Sequence, residues 1–310
     1  MKNLNWEELA FEFQLTNISL TKMSKRENVD RRTLSKHFKD LGIKIINKQN
    51  RVKFDNHVFD NIDTEEKAYW LGFIFVDGNI KNVSKSSAYT FEISLKGLDI
   101  NHLYKFNSFM KHEKNNIKLS KSKCKGKIFE RCRWIVSDKH LWNTLNNLGC
   151  TPKKSLTLEF PKNIKFKLIR HFIRGYFDGN GCITRYVYIN TVSPRIEIIG
   201  TYNFLNAIKD IINIECKFRH DKRHSDKTYI LEFNKESGIK FINYIYDDSS
   251  IYLDRKYKLY NFFKKGSRST KEFIELSSGN IGENPIKENP EINLESKKSE
   301  SSYSIESETI

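Results

Sequence analysis

The stretch FIRGYFDGNG, residues 172–181, has a counterpart in YWLGFIFVDG, residues 69–78. When the two stretches are aligned on their central glycines, Gly175 and Gly72, Asn180 falls opposite Asp77. Each stretch is apolar and ends in a carboxylate or an amide followed by glycine, which is typical of the C-terminus of a helix. The chain therefore carries the same kind of apolar helix twice, 103 residues apart, with a different side chain at the equivalent position.

The residues that follow each stretch repeat as well. Two strand-like runs, a helix, two more strands and a closing helix come after each of them. In TFEISLK, residues 90–96, apolar and polar residues alternate, which is typical of a strand with one buried face. An α-β-β-α-β-β-α order that occurs twice, over residues 68–162 and 163–265, predicts an α+β fold. Each copy is then an antiparallel sheet with helices over one face.

Residues 1–46 are predicted to be helical. Ser19 can cap a short helix, Asp30 a second one, and Gly42 can end the second. Two short helices joined by a tight turn resemble a DNA-binding helix-turn-helix, whose second helix would contact DNA through Arg31, Arg32 and Lys36. A plain helical hairpin with a solvated basic face is the alternative. The polar residues 47–67 are predicted to be a linker.

The charge of the chain is large and unevenly distributed. The net charge is +16, yet the residues from 266 onward hold five basic and nine acidic side chains. The first 265 residues therefore carry a net charge of +20, which favours a polyanionic partner. Few aromatic residues and many Ser, Glu and Asn in 266–310 predict a disordered acidic tail.

Other classes of protein are disfavoured. The five cysteines are scattered and form no C-x-x-C pair, which argues for reduced thiols and against a disulfide framework or structural zinc. The start, MKNLNWEELA, lacks the apolar core of a signal peptide. The longest apolar run has nine residues, about half of a membrane span. We expect a soluble cytoplasmic protein.

The two quoted stretches resemble the two motifs of the LAGLIDADG homing endonuclease family. Their flanks, IDTEEKAYWLGF at 62–73 and LDRKYKLY at 253–260, are similar to the family too, and the resemblance covers about residues 55–265. It implies a monomeric, free-standing endonuclease of a mobile genetic element, not an intein. The two sheets would form a saddle on double-stranded DNA with their strands in the major groove. An N-terminal helix-turn-helix is a common addition in this family.

The resemblance also implies a metal site at the ends of the two motif helices. Asp77 matches the acid that binds Mg²⁺, whereas Asn180 offers an amide oxygen without charge. Asp178 lies two residues earlier, about 200° around the helix, and is expected to be a polar helix-end residue that points away from the metal.

The centres of the motif helices are expected to pack against each other. Gly72 and Gly175 stand mid-helix, where glycine costs about 1 kcal/mol relative to alanine, a cost that a close approach of two helices explains. The seam between the helices is expected to be lined by the neighbouring aromatic residues Trp70, Phe73, Phe75, Tyr176 and Phe177.

Basic residues near the scissile phosphates complete the expected site. By resemblance, Lys154 and Lys256 position water and stabilise the transition state, although surface lysines are the alternative. Between the third and fourth strands both copies carry basic hairpins, which would grip phosphates or simply be solvated turns. The candidates there are Lys121, Lys123, Arg219, Lys222 and Arg223. Arg131 and Arg133 alternate with apolar residues and could read base edges.

Three functions agree with these residues. The first is a Mg²⁺-dependent, site-specific DNA endonuclease with a long asymmetric target. Because Asn180 removes one charge from the site, it could nick a single strand. The second is a catalytically degenerate DNA-binding regulator. The third is an intron maturase that binds intron RNA with the same saddle. Since Asp77, Lys154 and Lys256 are all present, the sequence favours the nuclease.

Overall fold

The computed structural model describes residues 4–16, 18–43, 53–81, 89–124, 127–188, 191–221 and 226–277. The chain divides into two compact units, residues 1–154 and 155–310. In the described part of the chain, every helix is too short or too polar to span a bilayer.

Three N-terminal helices open the first unit: α1 (Trp6–Thr16), α2 (Leu20–Glu27) and α3 (Arg31–Asp40). The predicted caps are present, since the side chains of Ser19 and Asp30 accept hydrogen bonds from the first turns of α2 and α3. Asn28 ends α2 in the left-handed conformation, with φ of 54°. The three helices share a small apolar core formed by Leu9, Ala10, Leu20, Met23, Leu34 and Phe38.

The first repeat completes this unit. It consists of α4 (Glu65–Asp77), β1 (Gly78–Ile80), β2 (Thr90–Lys96), α5 (Ile100–Phe109), β3 (Ile117–Cys124), β4 (Lys127–Ser137) and α6 (Lys139–Asn147). The four strands form one antiparallel sheet in the order β1-β2-β4-β3.

The second unit repeats this topology. It consists of α7 (Phe166–Asn180), β5 (Gly181–Tyr188), β6 (Thr191–Gly200), α8 (Tyr202–Ile212), β7 (Lys217–His220), β8 (Tyr229–Asn234) and α9 (Lys235–Tyr246). The strand order is β5-β6-β8-β7, the equivalent of the first sheet. The predicted α+β class and the duplicated α-β-β-α-β-β-α order are therefore confirmed. Two further helices, α10 (Asp254–Lys264) and α11 (Thr270–Ser277), follow.

Each sheet has one apolar and one polar face. In β2, Phe91, Ile93 and Leu95 are buried against the helices of the first repeat. The residues that alternate with them lie on the opposite face, where Thr90 and Glu92 are buried, Ser94 is half-buried and Lys96 is exposed. The alternation predicted from the sequence is therefore present.

The aromatic residues of the motif helices pack inside their own repeats. Trp70 and Phe73 contact His102 of α5, with ring centroids 4.8 Å and 4.7 Å apart. In the second unit, Tyr176 lies 4.2 Å from Phe204 between ring centroids. The ring of Phe177 packs edge-on against Phe241 of α9, with ring centroids 5.5 Å apart. These rings therefore contribute to the cores of their own repeats, and the predicted seam between the motif helices remains a prediction.

Two segments are more ordered than predicted. Phe59, within the predicted linker 47–67, is fully buried, and the Asp55 amide donates to the Met110 carbonyl at 2.7 Å. In the predicted disordered tail 266–310, α11 buries Phe273 against the rings of α10. The rest of these two ranges, 47–52 and 278–310, lies outside the described residues.

Candidate functional site at the ends of the motif helices

Asp77 and Asn180 occupy equivalent positions in the structure. Each is the last residue of its motif helix and is half-buried, and each is followed by the glycine that begins the next strand. A Cβ atom at Gly78 would lie 2.5 Å from the Ile74 carbonyl oxygen. At Gly181 it would lie 2.6 Å from the Phe177 carbonyl oxygen. Only glycine lets the chain pass from helix to strand so close to the preceding turn.

The two candidate lysines reach this same point in their repeats. The Lys154 ammonium donates to the Gly78 carbonyl, and the Lys256 ammonium donates to the Gly181 carbonyl at 2.5 Å. Both side chains are buried, with 7% and 2% of their surfaces exposed. Neither is the surface lysine that the alternative interpretation required. The structure thus brings each lysine to the end of the motif helix of its own repeat.

Lys256 also holds the last turn of its helix. Besides Gly181, it donates to the carbonyls of Phe177 at 2.5 Å and Asp178 at 2.9 Å. A helix leaves its last carbonyls without backbone partners and carries partial negative charge there. An ammonium at this end supplies donors and opposite charge. All three of its N–H groups are engaged, so a phosphate or a water would have to replace a carbonyl to contact it directly.

Asn180 makes a contact that an aspartate could not make. Its Nδ2 donates to the Ile199 carbonyl at 2.8 Å, and the Tyr176 hydroxyl donates to the same oxygen at 2.9 Å. A carbonyl oxygen only accepts, so the nitrogen of the amide must face it. The amide oxygen of Asn180 is then the one atom of this side chain able to ligate a metal.

Asp178 is a structural anchor in the second unit. Its two carboxylate oxygens accept from the Tyr246 hydroxyl at 2.5 Å and from the Leu253 amide at 2.7 Å. Its side chain is fully buried. Burial, together with the Asp178 charge, raises the pKa of Tyr246 well above its usual value, so Tyr246 stays a donor. Asp178 therefore fixes the segment that precedes Lys256.

Arg174, which sequence reasoning did not single out, fixes the same region. Its fully buried guanidinium donates to the carbonyls of Ile251 and Ile245, each at 2.9 Å. The equivalent residue of the first repeat is Leu71. A charged residue that interrupts an apolar helix beside Gly175 was the signal that could have identified it, since buried charges need partners.

Gly72 and Gly175 lie buried within their helices. The close approach of these two helices remains a prediction.

The predicted base-reading residues of the first sheet lie on its polar face. Arg133 is directly opposite Lys118 of β3, and Arg131 is opposite Ser120. Side chains of directly paired residues project from the same face. Arg131 is exposed, whereas Arg133 lies 3.6 Å from the carboxylate of Glu92.

Lys121 and Lys123 differ from the two arginines in position. Side chains alternate between the two faces along a strand. Lys121 and Lys123 are an odd number of positions from Lys118 and Ser120 in β3, so they project from the opposite face. Both are exposed, and Lys121 pairs with Glu130 at 3.2 Å. The structure thus places the two predicted phosphate-binding lysines on the opposite face of the sheet from the two predicted base-reading arginines.

The polar face of the second sheet carries a closed network of ion pairs. Arg195 lies 2.6 Å from Glu197 and 2.8 Å from Glu232, and Arg219 lies 2.8 Å and 3.4 Å from the same two carboxylates. Burial raises the pKa of Glu232, but hydrogen bonding from Asn234 and the positive charge of Arg195 outweigh it, so the pKa is lowered overall. Glu232 is therefore charged at neutral pH, and Arg219 is paired with carboxylates within the protein.

Sequence reasoning missed Arg195 and both glutamates of this network. The alternation within RIEIIGT, which places Arg195 and Glu197 on one face, was the available signal. Lys222 and Arg223 lie outside the described residues.

The remaining candidates lie on α3. Arg31, Arg32 and Lys36 are all exposed there, as a helix that contacts a phosphate backbone requires. Their contact with DNA remains a prediction.

These features define a duplicated α+β protein in which each motif helix ends in an oxygen-bearing side chain beside a buried lysine. Neither a protein-family model nor a curated protein matches the chain. Its solved structural neighbours include many LAGLIDADG homing endonucleases.

Three of these neighbours show the extent of the likeness. The I-LtrWI LAGLIDADG homing endonuclease bound to target DNA has a TM-score of 0.43 and 11% identity, over 69% of this chain and 98% of that one. The LAGLIDADG homing endonuclease I-GzeII in complex with its DNA target has a TM-score of 0.43 and 14% identity, over 71% of this chain and 99% of that one. The LAGLIDADG meganuclease I-AabMI bound to uncleaved DNA has a TM-score of 0.44 and 14% identity, over 70% of this chain and 98% of that one. At such identities and TM-scores, these matches do not bear on the activity of this chain.

Proposed function

We propose that this protein is a LAGLIDADG-type, site-specific DNA endonuclease that hydrolyses phosphodiester bonds in a long asymmetric duplex with Mg²⁺. The observation that carries the proposal is the bond between a buried lysine and the glycine carbonyl after Asp77 in one repeat and after Asn180 in the other. A buried ammonium at this same point of both repeats keeps a positive charge next to each of the two helix-end side chains. A buried cation is costly unless its partners are strong.

The side chains at the helix ends suit Mg²⁺. Asp77 offers a half-buried carboxylate, and the nitrogen of Asn180 is held by the Ile199 carbonyl, which leaves an oxygen for a ligand. Mg²⁺ prefers oxygen ligands and keeps several waters. When bound, it would supply charge that stabilises the attacked phosphate.

Within this proposal the two lysines are positioning residues. Each holds the carbonyl of the glycine next to the ligand residue, and its positive charge offsets the negative end of the motif helix. The site thereby keeps an anionic side chain at a helix terminus that would otherwise repel it. With one carboxylate and one amide, we expect one strand to be cut faster than the other.

A nicking assay tests this function. A binding site is first selected from a randomised duplex library in EDTA and then placed in a supercoiled plasmid. With Mg²⁺ the wild-type chain should yield relaxed plasmid before linear plasmid. Asp77→Asn should slow cleavage at least about 100-fold, the order expected for a group that stabilises transition-state charge. Asp210→Asn, an exposed acid on α8, is the matched control and should cleave normally.

A DNA-binding regulator is the second candidate, and the Asn180 contact favours it, because an amide committed to Ile199 suits a structural role. Specific binding without any plasmid cleavage, also after Asn180→Asp, would establish this candidate and exclude the nuclease. Tighter binding of a structured intron RNA than of the selected duplex at equal salt would instead indicate a maturase.

A further inference from the structure

Three side chains of the first unit converge away from the motif helix. Asp60 accepts from both histidines, with the Nδ1 of His57 at 2.7 Å from its Oδ2 and the Nε2 of His140 at 2.7 Å from its Oδ1. The two imidazole rings lie 4.1 Å apart between centroids. The two nitrogens and a carboxylate oxygen all lie within 4.8 Å of one another.

The backbone around this cluster is well defined by its own hydrogen bonds. His57 and Asp60 lie in one turn, in which the Asp60 amide donates to the His57 carbonyl at 3.0 Å. His140 lies in the first turn of α6, whose N-cap residue Asp138 accepts from Leu141. Two ligand candidates thus come from the turn before the motif helix, and the third comes from the last helix of the repeat.

The chemistry of the cluster is that of a transition-metal site. Two imidazoles and one carboxylate are a common ligand set for Zn²⁺, which leaves a fourth tetrahedral position for water. Zn²⁺ ligands lie about 2.0–2.2 Å from the metal, so the nitrogen and oxygen atoms must separate only slightly from their present hydrogen-bonded distances. Mg²⁺ does not compete well here, because it prefers oxygen ligands.

A further contact supports the carboxylate as a ligand. The Thr144 hydroxyl, one turn after His140 on α6, donates to Asp60 Oδ1 at 3.2 Å. Such outer hydrogen bonds orient ligating carboxylates in metal sites. The side chains of His57 and His140 remain 65% and 42% exposed, so an ion can enter from solvent.

We infer that His57, Asp60 and His140 form a Zn²⁺ site that fastens the segment before α4 to α6. The site uses no cysteine, which explains why the cysteine spacing gave no indication of it. The segment it fastens connects the N-terminal helices to the first repeat, so bound Zn²⁺ stabilises the beginning of the repeat. This role is independent of DNA cleavage and requires no part of the proposed active site.

Metal titration of the full-length, untagged chain tests the inference. We expect one equivalent of Zn²⁺ to bind, and Co²⁺ to give a visible spectrum without the charge-transfer band of a thiolate ligand. His57→Asn and His140→Asn should each weaken Zn²⁺ binding at least about tenfold. His112→Asn, in the same unit but outside the cluster, is the matched control and should leave the affinity unchanged.

Thermal unfolding supplies a second readout. Zn²⁺ should raise the Tm of the wild-type chain, because an ion that binds only the folded state stabilises it. It should not raise the Tm of the double variant His57→Asn/His140→Asn. Unchanged Zn²⁺ affinity in the double variant, or no one-to-one binding by the wild-type chain, would contradict the Zn²⁺ site. Asp60 would then only link His57 and His140 through hydrogen bonds.

Discussion

Asn180 is the residue that most affects the choice between the two candidate functions. An amide at a position where the equivalent residue is Asp77 suggested a weakened metal site. The structure adds a local reason for the amide, because Nδ2 donates to the Ile199 carbonyl, which Tyr176 also contacts. An aspartate has no proton to donate there at neutral pH.

Asn180→Asp is therefore expected to have opposite effects without and with metal. In EDTA the variant should lose about 1 kcal/mol of unfolding free energy, since it exchanges a hydrogen bond for a carboxylate facing a carbonyl. With Mg²⁺ its Tm should rise more than that of the wild type, because a second carboxylate can ligate. Urea and thermal unfolding with and without Mg²⁺ measure both effects. Asn79→Asp, at an exposed site in β1, is the control, and equal stability of Asn180→Asp and wild type in EDTA contradicts the argument.

A substitution at Tyr246, whose hydroxyl donates to Asp178, tests the anchoring role of Asp178. Tyr246→Phe removes the 2.5 Å bond to a buried carboxylate and leaves one of its oxygens without this donor. The cost should be about 1–3 kcal/mol, the range for an unsatisfied buried group. Tyr202→Phe, at a residue with 51% exposure, should cost much less in the same urea titration. Similar midpoints for the two variants would show that Asp178 does not depend on Tyr246.

At the scale of elements, the passage from motif helix to first strand is the most constrained feature. At Gly181 a Cβ would approach both the Phe177 carbonyl and the Phe177 ring, the latter at 2.1 Å. Gly181→Ala should therefore destabilise the second unit by about 3 kcal/mol, the upper range for overpacking. Gly42→Ala meets no atom within 4 Å and has only its φ of +71° to overcome, so it should cost about 1 kcal/mol. A chemical denaturation series ranks the two variants, and a reversed order would contradict the close contact.

The sequence predicted elements whose signals are local. Ser19 and Asp30 gave the starts of α2 and α3, since capping depends on residues within one turn. The alternation around Phe91 gave the sidedness of β2. The sequence did not predict α11, because Phe273 is buried by rings of α10 and not by its own neighbours. It also did not show that Lys121 and Arg131 project from opposite faces, because that depends on the register of β3 against β4.

The residues of the candidate site also divide into those with a local sequence pattern and those whose role depends on distant contacts. The position of Asp77 and Asn180 at helix ends could be predicted, because an apolar run followed by glycine is a local pattern. The roles of Arg174 and Asp178 could not, because their partners, such as Ile251 and Tyr246, lie about 70 residues away and depend on the folded repeat.

For the whole molecule, the positive charge predicts strong salt dependence of DNA binding. Each phosphate contact that is lost should reduce the slope of log K against log salt by about 1. Arg32→Ala, at an exposed position of α3, is expected to produce this change, whereas Lys271→Ala on α11 should not. Fluorescence anisotropy with the selected duplex at several salt concentrations measures the slopes. Equal slopes for Arg32→Ala and the wild type would contradict the predicted contact of α3 with DNA.

The net charge alone overstates how many arginines can contact DNA. On the polar face of the second sheet, Arg195 and Arg219 are already matched by Glu197 and Glu232. On the polar face of the first sheet, Arg131 remains exposed. We therefore expect the first repeat to supply more of the salt-dependent affinity than the second.

The bond from each lysine to its glycine carbonyl joins residues 76 positions apart in the first repeat and 75 in the second. Contacts so distant in sequence form late, after the cost of closing a long loop has been met. During synthesis, the Gly78 carbonyl lacks its lysine partner until the ribosome has released Lys154, and the Gly181 carbonyl lacks its partner until it has released Lys256. A nascent or truncated chain thus holds an unfinished site, so we expect the proposed nuclease site to be complete only once a whole repeat has been made.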